Sequence, residues 1–215
     1  MILKGVKYLV SLGLLVLFLA CNNQKENSKK DSEPNILPRN EKSVSVPKFN
    51  YSILDDGDIV LKRGVGQVSV LIIKFLNEKI PLSHCGIIVK ELGQYSVIHS
   101  LAKEYTGIDG VQKTSLTYFL KDAKLKDTYF VRLKSPANIR KRIADKSIEY
   151  LKEEVPFDYN FDIQDTTTFY CLEFIDQTLK VVLGKDVVKR KKIGQSEALL
   201  LNSLLDTTNF EIIKL

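Results

Sequence analysis

The stretch His84–Leu101, HCGIIVKELGQYSVIHSL, constrains the fold more than any other part of the chain. Two runs rich in β-branched residues, His84–Lys90 and Gln94–Leu101, flank a short Glu91-Leu92-Gly93 connection, and that pattern reads as a hairpin. A hairpin commits the chain to antiparallel sheet. It also places a histidine in each strand, with His84 opening the first and His99 near the end of the second. A return along the neighbouring strand therefore brings the two imidazoles close together. Side chains alternate along a strand, so His84 and Cys85 face opposite sides of the sheet. With His84 turned into a cleft, Cys85 is expected to point away from it.

The elements around the hairpin mix without regular βαβ alternation, so the fold class is α+β, an antiparallel sheet packed against helices. Asp58–Arg63 reads as a strand after an Asp56-Gly57 turn. Val65–Asn77 carries Val68, Leu71, Ile72, Phe75 and Leu76 at helical spacing for one buried face, and Pro81 ends that segment. Gly110–Lys113 adds a strand edge, Thr114–Asp122 a short helix capped by Thr114 or Ser115, and Thr128–Leu133 another strand. Ser135-Pro136 starts a helix that runs to about Glu154 with Ile139, Ile143, Ile148 and Leu151 inward. A basic loop at 189–192, a short apolar helix around Ala198–Leu205 and a last strand, Phe210–Leu215, complete the reading.

The N-terminus has a different character. Lys4 and Lys7 precede an almost unbroken apolar run, Tyr8–Ala20, which is short for a bilayer span and has the charged, apolar and small-residue regions of a secretory signal. The run ends FLAC, which resembles a bacterial lipobox with Cys21 as the lipidated residue, although Phe18 stands where leucine is more usual. An uncleaved membrane anchor is the alternative. Residues 1–20 are thus expected to be a lipoprotein signal peptide, 21–50 a lipidated, polar and proline-containing tether, and 51–215 the folded domain. The expected location is the cell envelope, with the chain anchored to a membrane through its N-terminal lipid. A net charge of +6 with no phosphate loop, zinc-finger spacing or basic face interleaved with aromatics argues against a nucleic-acid partner.

Three cysteines are present, and with Cys21 given to the lipid two remain, Cys85 and Cys171. Cys171 lies where a polar loop, FDYNFDIQDTTTFY, runs into the apolar, helix-like segment that Gly184 ends. A thiol in the first turn of a helix feels the positive end of the dipole and unpaired backbone N–H groups, both of which favour the thiolate. Thiol chemistry then needs a base to move the proton and a polar group to fix that base. Cys171, His84 and His99 supply nucleophile, base and orienter. The rival readings are a Cys85–Cys171 disulfide and a zinc site of His84, His99 and Cys171, which no CxxC or HExxH spacing supports. No metal or organic cofactor is expected.

Five short motifs recur in a set order: Gly57-Asp58-Ile59, Ser83-His84-x-Gly86-Ile87, Tyr95-x-Val97-Ile98-His99, Phe157-Asp158-Tyr159-x-Phe161-Asp162 and Tyr170-Cys171-x-Glu173-Phe174. This set, spanning roughly 51–215, resembles the circularly permuted papain-like branch of the NlpC superfamily, the YiiX/YaeF-like enzymes, in which the histidine strand precedes the cysteine helix. The resemblance implies a permuted papain-like fold with the catalytic cysteine at a helix N-terminus, Cys171 as nucleophile and His84 as general base. His99 stands where relatives often have glutamate, and Leu172 where serine is common. Glu173 is implied as support beside the site and Tyr159 as a contributor to substrate or oxyanion binding. The implied activity is a cysteine peptidase or amidase, or an acyltransferase, acting as a monomer on a cell-wall peptide, another amide or a lipid-derived acyl group. The alternative is a non-catalytic lipid- or peptide-binding lipoprotein on the same scaffold.

Overall fold

In the computed structural model, which describes residues 49–194 and 196–215, β2 (His84–Glu91) and β3 (Gln94–Leu101) form the expected hairpin. Ile87 stands opposite Ile98 and Glu91 opposite Gln94. Leu92 and Gly93 both take positive φ, +49° and +79°, the two-residue turn whose twist matches the flanking strands. The leader, Cys21 and the tether as far as residue 48 lie outside the described residues.

The sheet grows outward from this hairpin on both sides. β4 (Gly110–Ser115) pairs with β3, and β1 (Ile59–Gly64) pairs with β2 so that Lys62 stands opposite His84. β5 (Ala123–Leu133) and β8 (Phe210–Ile213) follow, giving six antiparallel strands in the order β4-β3-β2-β1-β5-β8. A separate two-stranded ribbon is formed by β6 (Arg190–Ile193) and β7 (Ser196–Leu199).

The helices are α1 (Gln67–Leu76), α2 (Lys103–Thr106), α3 (Leu116–Leu120), α4 (Ala137–Lys152) and α5 (Cys171–Leu183). Alternation divides the sheet's side chains between two cores. Leu61, Cys85, Ile87 and Ile98 pack with Ile143 of α4 and with Phe174 and Leu179 of α5. Val60, Ile88, Val97 and Phe130 pack on the other face with Leu116, Phe119 and Leu120 of α3.

The first motif is a structural clamp. Asp58 is fully buried and accepts two hydrogen bonds from Arg132 on β5, both 2.7 Å, and one from the Asp55 amide at 2.8 Å. Gly57, with φ +82°, lets its amide reach the Ile88 carbonyl at 3.0 Å. A β-carbon there would sit 2.1 Å from the Arg140 carbonyl oxygen.

Several local expectations are corrected. In α1 only Leu76 is buried and Phe75 is 47% exposed, because the helix meets the core through its end rather than along a face. β4 continues through Thr114 and Ser115, and Ser115 caps the shorter α3 by accepting from the Tyr118 amide at 3.1 Å. β5 begins at Ala123, five residues earlier than expected. Pro136, not Ser135, is the residue with non-helical ψ before α4. The basic stretch at 189–192 is mostly strand, and Ala198–Leu205 is the end of β7 followed by a 3-10 turn at Leu201–Leu205. Substituting Ser115→Ala is expected to cost about 1 kcal/mol of stability, the usual worth of an N-cap, read as a shift in the denaturant midpoint with unchanged slope.

Candidate active site

Cys171 is the first residue of α5, preceded by Tyr170 in extended conformation. The segment that follows, LEFIDQTL, is buried throughout, so the helix is driven into the sheet by its apolar content and its N-terminus is held at a fixed place. Gly184 ends it in the left-handed conformation at φ +68°. The entry is pinned from the sheet: the Ser100 hydroxyl, next to His99 on β3, donates to the Phe169 carbonyl two residues before the cysteine.

The Cys171 sulfur, half-buried, is ringed by donors. The Cys85 thiol and the backbone amides of Cys85, Leu172 and Cys171 itself all point at it. The Cys85 thiol makes the largest contribution, and together these donors outweigh burial and lower the Cys171 pKa below the ordinary thiol value. Cys85 moves the other way. Burial first, and then its role as donor to Cys171, push its thiol well above the ordinary value.

This corrects the expectation that Cys85 turns away from Cys171. Alternation holds, but the side facing the Cys171 helix takes Cys85, and the imidazole of His84 leaves β2 on the Phe119 side, away from Cys171. Both cysteines are free thiols.

The two histidines are brought together as the hairpin spacing implied. His84 Nε2 lies 3.0 Å from His99 Nδ1, and His99 Nε2 lies 3.3 Å from the Thr114 hydroxyl on β4. Gly86 makes the approach feasible, since a β-carbon there would meet Val97 at 2.4 Å and the His99 Cβ at 3.1 Å. The Phe119 ring stacks on His84 at 5.3 Å and meets His99 edge-on at 5.2 Å. Burial, then the neighbouring His99 and Lys62, hold the His84 pKa well below its ordinary value. Burial and Lys62 bring His99 down to about 3. Both rings are therefore neutral across the physiological range. The hydrogen bond of His84 runs to His99, while the sulfur's contacts run to Cys85, the residue after His84.

Glu173 and Tyr159 sit apart from these contacts. Glu173 is fully buried in the first turn of α5; one carboxylate oxygen accepts from the Tyr170 amide at 3.3 Å and the other has no partner among the described residues. Burial, and then the charge of Asp158, push its pKa up to about 9. The Tyr159 hydroxyl donates to Asp109 at 2.7 Å and accepts from the Lys103 amide at 3.3 Å, bracing the loop at 157–162 against α2. Asp158 organises that loop by accepting from the amides of Asn160 and Asp162, both at 2.7 Å.

Phe119 and Lys62 were not singled out from the sequence, and Thr114 was read only as a helix cap. Lys62 had a visible signal: it shares the parity of Val60 on a strand of buried residues, so it is a lysine at an inward position. Phe119 and Thr114 become neighbours of the imidazoles only through the packing of β4 and α3.

No curated protein matches the chain. Among solved structures, the chain is similar to a crystal structure described as the metalloprotein yiiX from Escherichia coli O157:H7. The TM-score is 0.62 at 16% identity, over 74% of this chain and 96% of that one. This likeness carries the fold. Residues 54–202 match the family model of the permuted papain-like amidase enzymes, YaeF/YiiX. With its histidine strands ahead of its cysteine helix and the fold of yiiX, the chain belongs to this family of permuted papain-like amidases, C92.

Proposed function

We propose that the protein is a thiol hydrolase in which Cys171 attacks a carbonyl carbon of an amide or acyl ester. The observation that carries this reading is the ring of four donors around the Cys171 sulfur at the start of a buried helix. One set of tautomers satisfies every donor. His99 Nε2–H donates to Thr114, His84 Nε2–H donates to His99 Nδ1, and His84 Nδ1 keeps a free lone pair as the base. The His84 imidazole lies on the Phe119 side of β2 and Cys171 on the Cys85 side, so this reading requires the ring to turn toward the thiol in the reaction.

The steps follow from that arrangement. His84 takes the thiol proton, the thiolate forms a C–S bond, and the oxyanion is held by the Cys171 amide at the helix N-terminus. Collapse breaks the C–N or C–O bond, and His84 returns the proton to the leaving group. Water then attacks the thioester, with His84 as base, and frees the acid and the thiol. An amine or alcohol in place of water makes the same intermediate an acyltransferase. Tyr159 fits a loop brace better than an oxyanion donor, because its hydroxyl already donates to Asp109.

The substrate class in this reading is a cell-wall peptide, another amide or an acyl-lipid, met at a membrane to which lipidated Cys21 tethers the domain. Among the described residues no helix is long and apolar enough to cross a membrane. The yiiX description as a metalloprotein prompts a comparison with the donor set here. The two imidazoles face each other in a hydrogen bond, and among the described residues no group of three His, Cys, Asp or Glu side chains converges on a metal position. The set does not fit a metal, and no step runs through one.

The test is thiol alkylation of the mature protein, without reductant, from about pH 4 to about pH 9. Rapid labelling of Cys171 below about pH 7, slowed by His84→Ala, is the expected result. Labelling that follows an ordinary thiol titration would instead favour a non-catalytic lipid- or peptide-binding protein on this scaffold.

A further inference from the structure

Lys62 is 7% exposed, an unusual burial for an ammonium, and its position across the β1–β2 pairing from His84 is not used by the mechanism above. Its Nζ donates to the Phe119 carbonyl at 2.6 Å and to the Asp122 carboxylate at 2.5 Å, and lies 4.5 Å from the centre of the Phe119 ring. That ring is the one stacked on His84 and set edge-on to His99. We propose that Lys62 is a positioning residue for the imidazole pair, pinning α3 so that Phe119 holds both rings and setting a fixed positive charge beside them.

The proposal rests on the reading of His84 as the base. A base buried against an aromatic ring is useful only while uncharged, and a nearby ammonium opposes the second positive charge that protonation would bring. The charged and titratable groups acting on the two rings are Lys62 on β1, Asp122 after α3, and the rings themselves on β2 and β3. Asp122 acts in the opposite sense to Lys62 on His99. Burial is the larger cause for both rings, so Lys62 adjusts a base that burial has already made neutral.

The two charges make opposite predictions. Lys62→Met keeps the apolar stem on Phe119 and removes the charge, so the imidazoles should titrate at higher pH, by on the order of one unit. Asp122→Asn removes the one carboxylate that raises His99, so His99 should titrate lower. Lys62→Arg should stay near the wild type. The direct readout is NMR titration of His84 and His99 in the mature protein, which needs no substrate. The second readout is the acidic limb of Cys171 alkylation, which should move with the rings.

Opposite shifts for Lys62→Met and Asp122→Asn support the assignment, since a packing defect moves both variants the same way. Unshifted imidazoles in a folded Lys62→Met, or shifts of one sign in both variants, would overturn it. Should Lys62→Met fail to fold, a titration in Asp122→Asn that does not fall would overturn it alone. Imidazole shifts of the expected signs, with a Cys171 that alkylates as an ordinary thiol in the wild type, would uphold the role of Lys62 and remove the hydrolase reading.

Discussion

Replacing Cys171 by alanine is expected to lower kcat/KM for hydrolysis by at least about 10³-fold while leaving the protein folded. The sulfur is half-buried at the first turn of α5, and the helix is held by Phe174, Ile175 and Leu179 rather than by the thiol. Circular dichroism and a thermal scan would establish the fold, and single-turnover assays the loss. Cys85→Ala is the informative control. It removes the strongest of the donors that lower the Cys171 pKa, so hydrolysis should persist with the onset of Cys171 alkylation moved to higher pH. Full loss of activity in Cys85→Ala with an intact fold would mean that the buried thiol, not Cys171 alone, takes part in the chemistry.

The second large effect concerns Glu173. Its carboxyl is held at about 9 in the folded protein, against an ordinary value of 4.5, first by burial and then by Asp158. The native state therefore binds the Glu173 proton more tightly than the unfolded chain. The stabilisation from this proton is complete below about pH 4.5 and is lost as pH rises through about 9. Inside that window the slope approaches 1.4 kcal/mol per pH unit, or about 4 kcal/mol from pH 5 to pH 8. Glu173→Gln keeps the shape and cannot ionise, so its advantage over the wild type should grow by up to that amount across the same range. Urea unfolding of both proteins at pH 5 and pH 8 measures the difference. Parallel pH profiles would mean that Glu173 is ionised in the native state.

The hairpin was legible because β-branched runs and a glycine turn leave a chain few choices, and its spacing set the histidines side by side. The Cys171 helix was equally plain, an apolar run between a polar loop and Gly184. What stayed hidden was which face of β2 meets that helix. Alternation tells which side chains share a face, but the face covered depends on how α4 and α5 cross the sheet, and no local signal carries that. The β6–β7 ribbon was missed for a related reason. No residue of β6 is buried, so Lys191 and Lys192 show none of the apolar alternation that marks a half-buried strand. Gly194, at φ +64°, was the one available sign of a turn. The permuted order of histidine and cysteine gave the family; the Lys62–Phe119 wall needed the packed structure.

The order of the strands also bears on how the chain acquires its site. β1 pairs with β5 through contacts such as Ile59 with Val131, and β5 gains its outer neighbour only from Phe210–Ile213 at the very end of the chain. Loops this long are slow to close, so topology of this kind folds late and as a whole. The thiol then meets the donors of β2 only when α5 docks, after both histidines have been in the chain for some seventy residues or more of synthesis. A ribosome-bound or otherwise unfinished chain carries a cysteine with the reactivity of any free thiol. The lowered pKa of Cys171 is therefore a property of the completed fold, made by β2 and α5 together.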